Sequence, residues 1–196
     1  MDKVKNEIIA CSKCRNGSLV IAKDFAAGFF LCKKCGHVNT VSTQVYDEEV
    51  LEKLPHTGFL VSVNNPSEIY ALRPGVNVIG VGEMADVVLK RVTHDGKCFI
   101  SRQHCTITVS FGKWNGQLSY LLEDGAADPT GGRKASLNHT FYKGKKVEQQ
   151  DALYVGNQDL INLGGEDAYR LEHYIIPAGT LENYKISQRV EDGGTD

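Results

Sequence analysis

Short apolar segments separated by turn residues dominate the second part of the chain. Candidate strands include Phe59–Val63, Cys105–Phe111 and Gln117–Leu122, and no helical pattern lies between them. Short strands at regular spacing with turns between them are typical of a β-sandwich. The pattern therefore predicts a mainly β fold with a sandwich over residues 58–175.

Different patterns flank this region. Residues 38–57 are polar and include a short helical pattern at 47–54 that ends at a proline. They are expected to form a linker with a short helix. Residues 176–196 become polar and are expected to form a flexible tail.

Composition excludes several classes of protein. The 196 residues include 22 Lys+Arg and 24 Asp+Glu, a net charge of −2, so the chain as a whole is not a basic nucleic-acid binder. The longest apolar runs span only a few residues, which excludes a transmembrane helix, and no signal peptide is visible. We expect a cytoplasmic protein without a membrane partner.

Four cysteines form two Cys-x-x-Cys pairs, Cys11/Cys14 and Cys32/Cys35, with 17 residues between the pairs. This spacing indicates a zinc site, because two tight turns can each place two thiolates on one side of a tetrahedral ion. A segment of about 40 residues cannot bury enough apolar surface alone, so the metal would supply the missing stability. The sequence predicts one structural Zn²⁺.

Residues 1–37 resemble a zinc ribbon. The alternatives are a rubredoxin-like iron site and a redox pair, although a thioredoxin-like site would use one Cys-x-x-Cys beside a βαβ pattern. The two Cys-x-x-Cys turns, which we call the knuckles, also carry basic residues. These either offset the charge of a Zn(Cys)4 centre or contact nucleic acid. These residues are Lys13, Arg15, Lys33 and Lys34.

Two stretches of the predicted sandwich are more specific than strand periodicity. The first contains Ile79-Gly80, Asp86-Val-Val-Leu89 and Ser101-Arg102-Gln-His104, and the second contains Leu137-Asn138-His139. Together they resemble the forkhead-associated (FHA) domain. The resemblance implies an eleven-stranded β-sandwich that binds phosphothreonine peptides through loops at one end.

A phosphate receptor needs hydroxyl, amide and cationic donors that converge from loops. The resemblance implies that Ser101 and Arg102 contact the phosphate and that Asn138 holds the peptide backbone. His104 and Asp86 are implied to brace the loops rather than to bind ligand.

The chain departs from the family pattern at three positions. Val81 stands where the family has a phosphate-binding arginine, Leu137 replaces a small polar residue, and His139 replaces a glycine. Arg91 and Arg133 are candidates to supply the missing cation. Residues 88–146 contain ten Lys+Arg and four acidic residues, which agrees with an anion-binding end.

The predicted function is a non-catalytic adaptor that binds a phosphothreonine-containing protein. A hydrolase that uses Ser101 and His104 is disfavoured, because the sequence shows no acid partner and no nucleophile-elbow motif. Two alternatives stay open. The sandwich binds a protein partner independently of phosphate, or the ribbon binds nucleic acid.

Overall fold

The structure, a computed structural model, describes residues 6–14, 16–41, 44–128 and 130–187. None of the helices among these residues combines the length and hydropathy that crossing a bilayer requires. The chain forms two compact units. The first contains the described residues of Met1–Lys53, Gly112–Gln117 and Ile176–Asp196, and the second contains those of Leu54–Phe111 and Leu118–Ile175.

Strands outnumber helices among the described residues. The helices are α1 (Ala22–Ala27), a 3-10 helix (Glu48–Lys53) and α2 (Ala178–Glu182). The strands are β1 (Glu7–Ala10), β2 (Gly17–Val20), β3 (Phe29–Leu31), β4 (Val38–Thr40), β5 (Gln44–Tyr46), β6 (Gly58–Ser62), β7 (Ile69–Ala71), β8 (Gly75–Gly80), β9 (Val87–Val88), β10 (Cys105–Gly112), β11 (Gln117–Asp124), β12 (Ala126–Ala127), β13 (Arg133–Lys134), β14 (Thr140–Tyr142), β15 (Lys145–Lys146), β16 (Leu153–Tyr154), β17 (Leu160–Leu163), β18 (Asp167–His173) and β19 (Lys185–Ser187).

The second unit is a β-sandwich of a five-stranded and a six-stranded sheet. The strand order is β16-β11-β10-β8-β9 in the first sheet and β15-β14-β17-β18-β6-β7 in the second. Strands β8 and β9 pair in parallel, whereas β10 and β8 pair antiparallel. These eleven strands of the described chain confirm the predicted mainly β, eleven-stranded sandwich.

Alternation along the strands explains the core of the sandwich. In β11, Leu118, Tyr120, Leu122 and Asp124 are buried, whereas the residues between them are partly exposed. This is the period of two that a strand with one buried face requires. Three of the inward positions are apolar and fill the core, and the fourth carries a carboxylate. The largest fully buried aliphatic side chains of this unit are Leu60, Leu72, Ile79, Ile107, Leu122, Ile161, Leu163 and Leu171.

The first unit contains three two-stranded sheets, β1-β2, β3-β4 and β5-β19. Helix α1 lies between β2 and β3 because Ala22-Lys-Asp-Phe-Ala-Ala27 has high helix propensity. The Asp24 carboxylate accepts a hydrogen bond from the Ile21 N–H at 3.0 Å at its start. Gly28 ends the helix with a left-handed φ of 78°, which favours glycine.

Trp114, from the turn Gly112–Gln117, completes the core of the first unit. Its ring centroid lies 4.6 Å from that of Phe25, and its indole N–H donates to Glu7. Glu7 also pairs with Lys113 at 2.8 Å. The remaining members of this apolar cluster are Val20, Phe30, Val41 and Val45.

The first unit differs from the sequence-based expectations in two respects. Residues 38–57 were expected to form a linker with a short helix, and besides the 3-10 helix Glu48–Lys53 they contain β4 and β5. Residues 176–196 were expected to be a flexible tail, whereas α2 and β19 lie within them and β19 pairs with β5. The remainder of that predicted tail, residues 188–196, lies outside the described residues.

Candidate functional site

Three loops of the sandwich meet at Ser101. The Val81 N–H donates to the Ser101 carbonyl at 3.2 Å, and the Gly82 N–H donates to the Arg102 carbonyl at 3.0 Å. From the third loop, the Leu137 N–H donates to Ser101 Oγ at 3.1 Å. Two backbone–backbone hydrogen bonds and one to the serine hydroxyl therefore join segments that are far apart in sequence.

Two glycines allow this close approach. A Cβ added to Gly80 would lie 2.2 Å from the Arg102 carbonyl oxygen, and one added to Gly82 would lie 2.7 Å from Arg102 Cβ. Both distances are shorter than any real contact, so a side chain at either position would displace the Ser101-Arg102 loop. The close approach of Arg102 thus explains why glycine stands at positions 80 and 82.

His104 connects two of the loops from a fully buried position. Its Nδ1 accepts the Ser101 N–H at 2.8 Å, so the ring proton lies on Nε2, which donates to the His139 carbonyl at 3.0 Å. Burial lowers the pKa of His104, which favours this neutral form. Both ring nitrogens are occupied, so the ring is not placed to accept the Ser101 hydroxyl proton.

Asp124 anchors the ends of the loop that carries Asn138, a role that the sequence analysis missed. Its Oδ1 accepts the Ser136 hydroxyl at 2.6 Å, the Thr140 N–H at 2.9 Å and the Thr140 hydroxyl at 2.7 Å. Its Oδ2 accepts the Ser136 N–H at 3.0 Å. Burial alone would raise the pKa of Asp124, but these hydrogen bonds hold it below its usual range.

The three predicted ligand-binding side chains lie on these braced loops. Ser101 Oγ accepts from Leu137, which leaves its hydroxyl proton to donate elsewhere. The Arg102 side chain is exposed and forms no ion pair among the described residues. Asn138 Nδ2 donates to the Phe99 carbonyl at 2.9 Å, and its Oδ1 accepts no hydrogen bond within the described chain. Each therefore retains polar capacity for a ligand.

The other predicted site residues have different surroundings. Arg133 donates to the carbonyls of Asp124 and Gly125 and pairs with Glu123 at 2.8 Å, so its guanidinium is already occupied. Arg91 is exposed and has no ion pair within the described ranges. Asp86 Oδ2 accepts the Val78 N–H at 2.8 Å, which ties its loop to β8.

The positions that depart from the family pattern lie on the same loops. Val81 is partly exposed and supplies no side-chain donor, and Leu137 is 83% exposed. His139 has a φ of 62°, a left-handed value that glycine adopts more readily. The His139 carbonyl accepts from both His104 Nε2 and the Gly164 N–H, which helps to hold this conformation.

Half of the positive charges in residues 88–146 are neutralised by ion pairs. Each of these five side chains has a carboxylate within 3.1 Å. Ion pairing therefore offsets five of the ten positive charges noted in the sequence. The paired cations are Lys90, Lys113, Arg133, Lys143 and Lys146.

The four predicted metal-ligand cysteines come together in the first unit. Their sulfur atoms all lie within 4.8 Å of one another. The Cys11–Cys35 and Cys14–Cys32 Sγ distances are 3.7 and 3.5 Å. Four thiolates at about 2.3 Å from a tetrahedral zinc lie about 3.8 Å apart. The sulfur cage thus has the size that a zinc ion needs.

Asn39 joins the two cysteine knuckles and was not predicted. This buried amide donates to Cys11 Sγ at 3.6 Å and to the His37 carbonyl at 3.0 Å. Its Oδ1 accepts from the N–H and the hydroxyl of Ser12, at 2.8 and 3.0 Å. Hydrogen bonds of this kind orient metal ligands and stabilise thiolate charge.

The acidity of the thiols agrees with a site built for a cation. Burial raises the pKa of Cys11, but hydrogen bonds from the backbone N–H groups of Cys14 and Lys13 outweigh this effect, and the pKa is lowered to about 6. At Cys35, the His37 N–H lowers the pKa, but the neighbouring sulfurs of Cys14, Cys32 and Cys11 raise it to about 12. A bound cation would remove this conflict between neighbouring negative charges.

Several solved structures and one family model are similar to the sandwich. A domain solved in an analysis of phosphothreonine-dependent FHA domain interactions is 24% identical, with 61% of this chain and 99% of that chain covered and a TM-score of 0.44. The Slr1951 protein from Synechocystis sp. is 23% identical, with 61% and 99% covered and a TM-score of 0.47. An Arabidopsis thaliana FHA domain is 18% identical, with 63% and 91% covered and a TM-score of 0.44. No curated protein matches the chain in sequence. The family model of the FHA domain matches residues 77–164, which lie within the sandwich.

Proposed function

We propose that this protein is a non-catalytic adaptor whose FHA domain binds a phosphothreonine-containing segment of a partner protein. The observation that carries the proposal is the state of Ser101, Arg102 and Asn138. The loops that hold them are fixed by buried hydrogen bonds, yet a hydroxyl proton, a guanidinium and a carboxamide oxygen stay available. Such a set complements a phosphate and the adjoining peptide backbone.

The absence of an arginine at Val81 limits the strength of this site. A charge-assisted hydrogen bond contributes about 1.5–3 kcal/mol, so one missing cationic contact corresponds to a ten- to hundredfold weaker complex. Ser101 and Arg102 must then supply most of the phosphate affinity. We infer a receptor tuned to weak, reversible binding.

The test uses the full chain and a peptide library oriented around phosphothreonine. The peptide selected should bind more weakly by about 1–3 kcal/mol in Ser101→Ala and in Arg102→Ala, because each removes one phosphate donor. Arg73→Ala is the matched control, because Arg73 is also exposed and is not part of the site. Arg91→Ala shows whether Arg91 supplies the missing cation. Equal losses in Arg73→Ala and Arg102→Ala would contradict the assignment.

A second candidate function is phosphate-independent binding of a protein partner. Two large apolar side chains on the site loops favour it, since Met84 and Leu137 are each 83% exposed. Dephosphorylation of the selected peptide separates the two functions. Unchanged affinity would support the second function and exclude the first.

We further propose that the cysteine cluster holds one zinc ion whose role is structural. Cys11, Cys14, Cys32 and Cys35 would bind it, and their separations fit a tetrahedral thiolate site. Metal analysis of the purified protein should give one zinc per chain. Red colour with ferric–thiolate absorption would instead identify the iron alternative.

The nucleic-acid alternative has a direct test as well. Binding led by phosphate contacts falls steeply as salt concentration rises. Binding of DNA or RNA with that dependence, lost on removal of the metal, would favour a ribbon-led function. We propose protein binding instead, because Lys33 and Lys34 lie within three residues of the exposed Leu31.

A further inference from the structure

The hairpin formed by β3 and β4 has one buried and one exposed face. Phe30 and Asn39, which are paired across the strands, are buried. On the other face, Phe29, Leu31 and Val38 are 46%, 59% and 54% exposed. A polar outer face is the norm for a small sheet of this kind, so three large apolar side chains there require an explanation.

These three side chains, which we call the apolar strip, are neighbours. Leu31 and Val38 are directly opposite each other in the antiparallel register. Their Cβ atoms are therefore about 4.5–5.5 Å apart. Phe29 is two residues before Leu31 on the same strand and hence on the same face. The strip is one contiguous surface rather than scattered exposure.

Positive charge adjoins the apolar strip. Lys33 and Lys34 lie in the knuckle that connects β3 to β4, within three residues of Leu31, and both are exposed. Among the described residues of 6–41, the only acidic residues are Glu7, which pairs with Lys113, and Asp24, which caps α1. Neither Lys33 nor Lys34 has an ion-pair partner in the described chain.

We propose that the apolar strip binds an extended segment of a partner protein that carries both large apolar and acidic side chains. The apolar residues would cover Phe29, Leu31 and Val38, and the carboxylates would face Lys33 and Lys34. Both strands of this two-stranded sheet lack a second neighbouring strand in the described chain. An added strand could therefore pair along an edge. The strip belongs to the first unit, whereas Ser101 belongs to the second, and the proposed binding does not depend on phosphate.

Charge and shape disfavour three other occupants of the apolar strip, namely a second copy of the chain, a nucleic acid and the chain's own residues 188–196. A second copy of the chain would bring lysines against lysines. A nucleic acid would match the lysines but not Leu31 and Val38, since bases stack on aromatic rings rather than on aliphatic chains. The chain's own residues 188–196 contain three acidic residues but a single large apolar one, Val190. They cannot cover three apolar side chains.

The experiment selects binders from a random peptide library displayed on phage, with the full zinc-loaded chain as bait and Leu31→Ser as counter-selection bait. We expect enriched peptides that interleave Asp or Glu with Leu, Ile, Phe or Trp. A synthetic copy of the best peptide should bind at least tenfold more weakly to Leu31→Ser, because the burial of one leucine side chain is lost. The affinity should also fall as salt concentration rises.

Two further variants make the result specific. Val76→Ser removes an aliphatic side chain that is 62% exposed on β8, outside the first unit, and should leave affinity within twofold. The double change Lys33→Glu and Lys34→Glu should weaken binding and reverse its salt dependence. Zinc content and Trp114 fluorescence must match those of the unaltered protein, which shows that the first unit stays folded.

Several outcomes would overturn the proposal. These are the absence of enrichment over the Leu31→Ser bait, enriched peptides without acidic residues, and equal binding to both proteins. Concentration-dependent dimerisation that Leu31→Ser abolishes would identify a second copy as the occupant. Leu31-dependent binding of a single-stranded oligonucleotide would identify nucleic acid. Binding of the peptide only after removal of residues 188–196 would identify the chain's own terminus.

Discussion

The buried carboxylate of Asp124 offers the sharpest test of how the candidate phosphate site is held. It accepts four hydrogen bonds, all from Ser136 and Thr140, and is 2% exposed. These two residues begin and end the loop that presents Asn138. We predict that Asp124→Asn, which keeps the shape of the side chain, destabilises the sandwich and weakens phosphopeptide binding together.

The size of the effect follows from the donors. The amide oxygen of asparagine can replace Oδ1 and keep three bonds, but its NH2 group then faces the Ser136 N–H, donor against donor. Loss of that charge-assisted bond costs about 1.5–3 kcal/mol, and the three other bonds lose their charge assistance. The lower cost of burying a neutral amide offsets part of this. We expect a loss of about 3 kcal/mol in the free energy of unfolding.

The pH dependence has a definite sign. Because the pKa of Asp124 is lower in the folded protein, the carboxylate stabilises the fold above the unfolded pKa of about 3.9. This contribution is lost as the pH falls through the folded value. The unaltered protein should therefore lose stability below about pH 4. The difference in free energy of unfolding between the unaltered protein and Asp124→Asn should become smaller in the same pH range.

Urea unfolding followed by far-ultraviolet circular dichroism measures the loss, and titration with the selected phosphopeptide measures binding. Asp128→Asn is the matched control, since Asp128 accepts from Thr130 in an exposed turn and should change stability by less than about 1 kcal/mol. If Asp124→Asn also changes the free energy of unfolding by less than about 1 kcal/mol and binds the peptide normally, the carboxylate does not hold the loop.

Three further predictions test the site and the metal. Removal of zinc, by chelation or by Cys32→Ser, should shift the fluorescence emission of Trp114 to longer wavelength, because this single tryptophan is packed in the core of the first unit. Unchanged emission after zinc loss would show that this core does not need the metal. Gly80→Ala should destabilise the fold and weaken phosphopeptide binding, because its Cβ would meet a carbonyl oxygen, whereas Gly132→Ala meets nothing within 4 Å and should be neutral in both assays. Val81→Arg should raise phosphopeptide affinity ten- to hundredfold, the equivalent of about 1.5–3 kcal/mol, and a stable variant with no gain would remove the phosphate interpretation.

The sequence contains local signals for much of this architecture and weak signals for the rest. Cysteine spacing predicts the cluster because knuckle geometry is local, and alternation predicts the strands because the period of two is local as well. Asp124 has a signal that was overlooked, since it continues the inward positions of Leu118, Tyr120 and Leu122. A carboxylate at an inward position must be hydrogen-bonded, so it points to a buried polar network.

Long-range pairings have no such signal. Trp114-Asn-Gly116 has the composition of a turn, and nothing near it indicates that its indole contacts Phe25, almost ninety residues earlier. The pairing of β19 with β5 joins two three-residue strands from distant parts of the chain. Segments this short carry too few alternating positions to identify a strand, so only the tertiary structure shows them.

The residues that fix the loops of the sandwich and the residues proposed to bind the ligand are separate sets. His104, Asp124 and Gly80 fix the loops through buried bonds and close packing, and none of them presents a free group to solvent. Ser101 and Arg102 present such groups but contribute little to the core. Because the buried bonds do not involve the Val81 side chain, a change at this partly exposed loop position can alter affinity while the loops stay in place. The presence of these fixed loops therefore does not by itself determine phosphate dependence, which must be measured at the donors.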